Sequence, residues 1–151
     1  MVVLKKSVVI DAPAERVFAY ASEPRTFAEW LPNFVEARDV VGTGAGQQYE
    51  WTFKYVGLLL RGQCTVVEYV PNELAVHQSI GTINSTWTIR VEPHAEGTTL
   101  TIEAEYHIPI PVLGKLAEQF VVRRDARDLE SGLFNVKEMF PPEPVRKSRS
   151  S

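Results

Sequence analysis

Residues 112–140 read VLGKLAEQFVVRRDARDLESGLFNVKEMF, and this proline-free run decides the fold. No other segment is long enough and free enough of proline to make a helix of many turns. At ~1.5 Å per residue it spans roughly 40 Å, about the width of a domain of this size. Val122, Ala126, Leu129, Leu133, Val136 and Phe140 step by three and four, as one buried helix face does. Leu113, Leu116, Ala117 and Phe120 form a second apolar group, nearly opposite the first at ~100° per residue. The pattern predicts either a helix that breaks near residues 120–123 or first turns that bury their apolar side against something other than a sheet.

Upstream of this run the signals are those of strands. From Phe34 to His107 the chain divides near 34–42, 47–57, 62–70, 74–81, 83–92 and 98–108, with Gly-rich or Pro-containing breaks between. Connections this short make successive strands antiparallel. Tyr49, Trp51, Phe53 and Tyr55 share one face of their strand, and Gln48, Glu50, Thr52 and Lys54 the other. Ile83, Ser85, Trp87, Ile89 and Val91 alternate in the same way, as do Leu100, Ile102, Ala104 and Tyr106. One face of the sheet is therefore wet and the other apolar, rich in large rings, with the long helix as its lid. Residues 2–10 add a valine-rich strand. Two short helices follow near 13–21 and 22–30, with Asp11 and Ser22 as N-caps and Pro32 as the stop.

Length and composition narrow the class. One domain is the natural reading of 151 residues, and 44% hydrophobic content suffices for a core. The net charge of −3 argues against a nucleic-acid binder, which needs a basic face to displace counterions. The single cysteine, Cys64, excludes an internal disulfide and a thiolate metal site, and suits a cytoplasmic protein. The N-terminus shows no signal-peptide pattern, and no window reaches the ~20 apolar residues of a membrane span. Residues 141–151, PPEPVRKSRSS, lack periodicity and read as a disordered tail after a domain over 1–140.

Few residues carry chemistry on spacing alone. His77, His94 and His107 are scattered and make no metal set; His107 shares an outward register with Glu103 and Glu105, while the face of His77, in register with Ala75 and Ser79, stays open. Cys64 has no neighbouring motif that would make it a nucleophile, and a structural role is the simpler one. Gly42, Gly44 and Gly46 precede a strand rather than a helix, so they form a hairpin loop and not a phosphate cradle. Arg123, Arg124, Asp125, Arg127 and Asp128 mix signs at helical spacing, which marks a solvated face.

The order of elements, with Asp11-Ala12-Pro13-Ala14-Glu15-Arg16-Val17-Phe18 after the first strand and Trp30-Leu31-Pro32 closing the second helix, resembles the START-like superfamily. That superfamily is also called helix-grip, Bet v 1-like or SRPBCC, and within it the chain is most similar to the polyketide cyclase/dehydrase and lipid-transport group. The resemblance covers residues 2 to 140. It implies an α+β fold: a curved antiparallel sheet of about seven strands, two short helices, and a C-terminal helix across an apolar cavity. It also implies a hydrophobic small-molecule ligand such as a lipid or polyketide, with a cyclase- or dehydratase-type enzyme as the alternative. No catalytic motif is common to the superfamily, so none is transferred, and neither a cofactor nor a metal is expected.

The expected ligand-binding residues are Tyr49, Trp51, Phe53, Tyr55, Ser85, Trp87 and Tyr106 on the sheet. Gln119, Phe120 and Arg123 join them where the helix changes its apolar face. The rings either line a cavity or fill the core, and the hydroxyls meet either a ligand or water and backbone. Entry is expected between the Gly42–Gly46 loop, the Leu58–Leu60 turn and the first turns of the long helix. Leu113, Leu116, Ala117 and Phe120 with Leu58, Leu59 and Leu60 form a candidate apolar lip, for a gate, transient membrane contact or a homodimer, with ordinary packing after a helix kink as the alternative. The monomer remains the other option.

Overall fold

The computed structural model describes residues 1–108 and 114–142. In chain order they form β1 (Val2–Ile10), α1 (Ala14–Ala21), a 3-10 turn (Pro24–Thr26) running into α2 (Phe27–Trp30), β2 (Phe34–Val41), β3 (Gln48–Tyr55), β4 (Leu58–Val70), β5 (Leu74–Gly81), β6 (Ser85–His94), β7 (Gly97–Tyr106) and α3 (Lys115–Glu138). The fold is α+β helix-grip, with one curved seven-stranded sheet in the order β1-β7-β6-β5-β4-β3-β2. Every pairing is antiparallel, and β1 closes the meander by lying against β7. The expected tail past residue 142 and the Pro109–Pro111 lead into the helix fall outside the described residues.

Several boundaries differ from expectation for local reasons. β4 starts at Leu58 because Val56 and Gly57 alone, at φ 48° and 83°, close the hairpin from Tyr55 to Leu58. Two successive left-handed residues make the tight turn that matches strand twist. Valine is strained there, since a branched Cβ crowds the backbone at positive φ. Ser22 does not cap the second helix; it ends α1, its hydroxyl donating to the Phe18 carbonyl at 2.6 Å. Glu23 takes over, accepting from the Arg25 amide. Asp11 caps nothing either, because the N-cap position of α1 is Pro13.

α3 is continuous from Lys115 to Glu138, with no break at 120–123. Its buried residues are Val121, Leu129, Gly132, Leu133 and Val136. The inward face therefore passes through Val121 and Asp125 rather than Val122 and Ala126, which are half-buried. Residues 114–120 are all exposed. The reason is positional. Asp125 already meets the ends of β3 and β7, so the turns before it overhang the sheet and have nothing to pack on.

The space under α3 is filled at one end only. Ile10, Val17, Phe18, Leu100, Leu133 and Val136 are essentially inaccessible to solvent and form a solid core where α1 meets the sheet. Side chains of this kind contribute roughly 1.5–3 kcal/mol each on burial. Phe140, beyond α3, seals that end against Tyr20 and Arg16 of α1. Gly132 lets α3 approach α2: a Cβ there would lie 3.3 Å from Pro32 and 3.4 Å from Trp30. Asn135 fixes the same contact by donating to the Trp30 carbonyl at 3.0 Å. Towards the β3–β4 hairpin the packing opens.

Candidate functional site

Beyond the solid core lies a cavity of ≈ 130 Å³, counted as space open to the centres of water-sized spheres. One water needs roughly 10–15 Å³ on this measure, and an apolar cavity of about 150 Å³ takes up a benzene ring. Its floor is the concave face of β3 to β7, and α2 and α3 make its roof. Of the small residues on the floor, Ser79 and Ser85 line the hollow and leave room between the rings. Gly62, Cys64, Ser79 and Ser85 occupy inward positions on β4, β5 and β6. The Trp51 indole lies so close over Gly62 that a Cβ there would sit 2.5 Å from its ring.

Seven of the ten residues expected from the sequence stand on the wall: Tyr49, Trp51, Phe53, Tyr55, Ser85, Trp87 and Tyr106. The other three do not. Gln119, Phe120 and Arg123 are exposed on the overhanging half of α3, where Phe120 keeps 67% of its surface in solvent. Their place is taken one turn on by Arg124, Asp125, Asp128 and Leu129. Of the expected lip, Leu60 turns inward onto the wall, whereas Leu58, Leu59 and Leu116 are exposed. The Gly42–Gly46 loop is far from the opening: it joins the opposite end of β3, and Gly44 packs on Tyr69 beside Phe18. The cavity reaches solvent instead between Asn33, Lys54, Val56 and Arg124, all exposed. Asn33 spans that opening by donating to Asp128 at 3.2 Å.

Two polar clusters sit on these apolar walls. Near the opening, the Tyr55 hydroxyl donates to Asp125 Oδ2 at 2.7 Å, and the Tyr106 hydroxyl donates to the same oxygen. Desolvation raises the Asp125 pKa, and the two phenols, holding the charged form, pull it back only in part. Both phenols are pushed upward, first by burial and then by the carboxylate. Arg124 and Asp128 flank the group. A carboxylate with one oxygen accepting two hydrogen bonds keeps its second oxygen, which neither tyrosine engages, to accept a proton or a hydrogen bond from a guest.

Deeper, the Tyr49 hydroxyl lies 2.9 Å from His77 Nδ1, with both side chains buried. His77 faces inward after all, alongside Ala75 and Ser79, because β5 pairs His77 with Trp87 and Ser79 with Ser85. Burial lowers its pKa to about 4, so the ring is neutral at pH 7. Burial also raises Tyr49 and Cys64, leaving both protonated. Phe27 stands among these rings, 5.6 Å from His77, 5.7 Å from Trp30 and 6.1 Å from Tyr49, all edge-on.

Sequence reasoning missed Asp125, His77, Ser79, Phe27 and Trp30 as wall residues. Asp125 had a signal: it interrupts the i, i+4 series Val121, Leu129, Leu133, and an acid on a buried face has a reason to be there. Among the described residues no group of three or more His, Cys, Asp or Glu side chains is placed to hold a metal ion. No described helix is long and apolar enough to cross a membrane.

This architecture recurs in solved structures. TTHA0849 from Thermus thermophilus superposes with a TM-score of 0.78 at 23% identity, over 91% of this chain and 95% of that one. The ZhuI aromatase/cyclase from Streptomyces sp. R1128 matches with a TM-score of 0.70 at 12% identity, over 91% and 92%. The di-domain ARO/CYC BexL of the BE-7585A biosynthetic pathway matches with a TM-score of 0.70 at 18% identity, over 95% of this chain and 51% of that one. At these identities the likeness is one of fold. No curated protein sequence matches. The family model described as polyketide cyclase / dehydrase and lipid transport matches residues 1–140, and the chain belongs to that family.

Proposed function

We propose that the protein binds a compact hydrophobic molecule, about one to two rings in its buried part, in the hollow between sheet and α3. The observation that carries this is the unfilled ≈ 130 Å³ beneath the helix, walled by Trp51, Phe53, Trp87 and Leu60 while the rest of the core is solid. Natural cores leave few voids larger than a water, because each lost contact costs stability. A hollow kept at the open end of the sheet is therefore better explained by a guest than by poor packing. Rings stacked on such walls gain on the order of 25 cal/mol for each Å² removed from water. A long acyl chain fits this volume less well than a ring system.

A second reading, a cyclase- or dehydratase-type enzyme, is favoured by one feature: Asp125. A carboxylate of raised proton affinity, held by Tyr55 and Tyr106 over an apolar hollow, suits proton transfer to or from a guest. The aromatase/cyclases among the matched structures point the same way. Work in the cytoplasm fits the lone buried Cys64, and the protein acts as a monomer or homodimer in this reading. The exposed Leu58, Leu59, Leu116 and Phe120 are where a transient membrane contact would form.

Native mass spectrometry of the detergent-free protein tests the binding reading. A bound or readily loaded aromatic small molecule is expected, and its loss in Trp51→Ala but not in Leu59→Ala, whose side chain is outside the cavity. Equal loading of both variants would put the site elsewhere. Conversion of the guest by the native protein, lost in Asp125→Asn, would establish the enzymatic reading over the carrier.

A further inference from the structure

The charged side chains on the cavity wall are not equally placed. Lys54 and Arg124 are exposed at the opening, whereas Asp125 and Asp128 are half-buried beneath the roof. Asp128 receives the Asn33 amide; Asp125 receives only phenols. Among the described residues the salt bridges are Lys6–Glu130, Arg25–Glu23, Arg38–Glu36 and Arg38–Glu50, so no cation pairs with Asp125. A desolvated carboxylate without a counter-ion is unfavourable, and proteins normally pair it. Tyr55 and Tyr106 both donate to Oδ2, which favours the charged form but supplies no positive charge. Oδ1 has no hydrogen-bond partner among the described residues. It stays open to water, since the sealed side-chain atoms without a partner are Trp30 Nε1, Trp51 Nε1 and His77 Nε2.

We infer that the half of the cavity nearest the opening is a subsite for an organic cation, a protonated amine borne on an apolar ring, with Asp125 as its counter-ion. The inference rests on the binding reading above and narrows it to a ligand class. The rings at this end complete the site. Tyr55 and Tyr106 are tied to the carboxylate, Phe53 lies 6.4 Å from Tyr55 between ring centroids, and Trp87 shares the wall. Aromatic faces carry negative potential and attract a cation within about 6 Å. Deeper in, His77 adds no opposing charge, because burial keeps it neutral at pH 7. Lys54 and Arg124 oppose the cation from exposed positions, where water screens them, while the apolar walls strengthen its pairing with Asp125. The net charge of −3 adds a weak attraction at longer range. A guest bearing a carboxylate or phosphate would face Asp125 as a like charge.

The test is calorimetric titration of the full chain at neutral pH with three probes on one bicyclic frame. They are 1-aminotetralin, which is then a cation, neutral 1-tetralone, and the anion of tetralin-1-carboxylic acid. The amine is expected to bind about tenfold tighter than the ketone or more, and the acid about tenfold weaker or more. In Asp125→Asn, which keeps an acceptor for the two phenols and removes the charge, the amine's advantage should fall to about threefold or less while tetralone binds as before. Should that variant fail to fold, the comparison on the native protein decides alone. An amine bound no tighter than tetralone, or an advantage that survives in folded Asp125→Asn, overturns the cation subsite; the cavity reading stands as long as tetralone binds. The acid bound tightest would assign the opening to Lys54 and Arg124 and overturn the subsite as well. No binding of any probe overturns both readings.

Discussion

Ser79→Leu is expected to abolish ligand binding while leaving the protein folded and at least as stable. Ser79 is 7% exposed at the middle of the floor, between Cys64 on β4 and Ser85 on β6. A leucine there points into the ≈ 130 Å³ of free space rather than into packed neighbours. It adds buried methylenes at about 0.8 kcal/mol each where overpacking would normally cost 1–3 kcal/mol. The thermal midpoint should hold or rise by roughly 2–4 °C, the response to about 1 kcal/mol in a chain of this size. The guest, however, loses room for most of a ring, worth about 3 kcal/mol or roughly 100-fold in affinity. Thermal unfolding alongside calorimetric titration with tetralone measures both. A stable variant that binds as well as the native protein would mean that the hollow is not the site.

The second large effect is on pH. His77 falls from the ordinary 6.5 to about 4 because burial penalises its charged form. A base whose folded pKa is depressed adds stability above its unfolded pKa, and that stability drains away as pH falls from 6.5 towards 4. At about 1.4 kcal/mol per decade in proton affinity, the loss is on the order of 3 kcal/mol across that window. The groups around it, Tyr49, Phe27, Val66 and Trp87, carry no charge there. His77→Gln retains a partner for Tyr49 and removes the titration. Denaturant unfolding from pH 7 to 4 should show the native protein losing roughly 3 kcal/mol more than the variant, with little further divergence below pH 4. Parallel stability curves for the two proteins would show that His77 is not buried as described.

What the sequence made legible was whatever repeats. The alternation Tyr49, Trp51, Phe53, Tyr55 placed four wall residues, because a period of two has only two phases and the charged partners Glu50 and Lys54 choose between them. β5 defeated the same logic. Its larger apolar residues, Leu74, Val76 and Ile80, face away from the cavity, while His77 and Ser79 line it and Ala75, in the same register, is buried in the core. A strand that floors a hollow has small or polar side chains inward, the inverse of one that fills a core, and only its pairing with Trp87 and Ile89 on β6 reveals the phase. The opposed apolar groups on α3 were visible, but not their cause. A helix longer than the sheet it covers must leave turns unsupported, and the length of β3 and β7 beneath it cannot be read from the helix itself. Gln119, Phe120 and Arg123 were placed at the site for want of that geometry, and Asp125 was read as part of a solvated charge run when it is the acid under the roof.

The most direct test is an NMR titration of methyl-labelled protein with 1-tetralone, observing intermolecular NOEs. Saturable NOEs to Leu60, Ile83, Ile89, Ile102 and Leu129, which line the cavity, are expected, with none to Val17, Leu100 and Val136 in the solid core. NOEs confined to the exposed methyls of Leu58, Leu59 and Leu116, or none at any concentration, would show that the space beneath α3 receives no ligand.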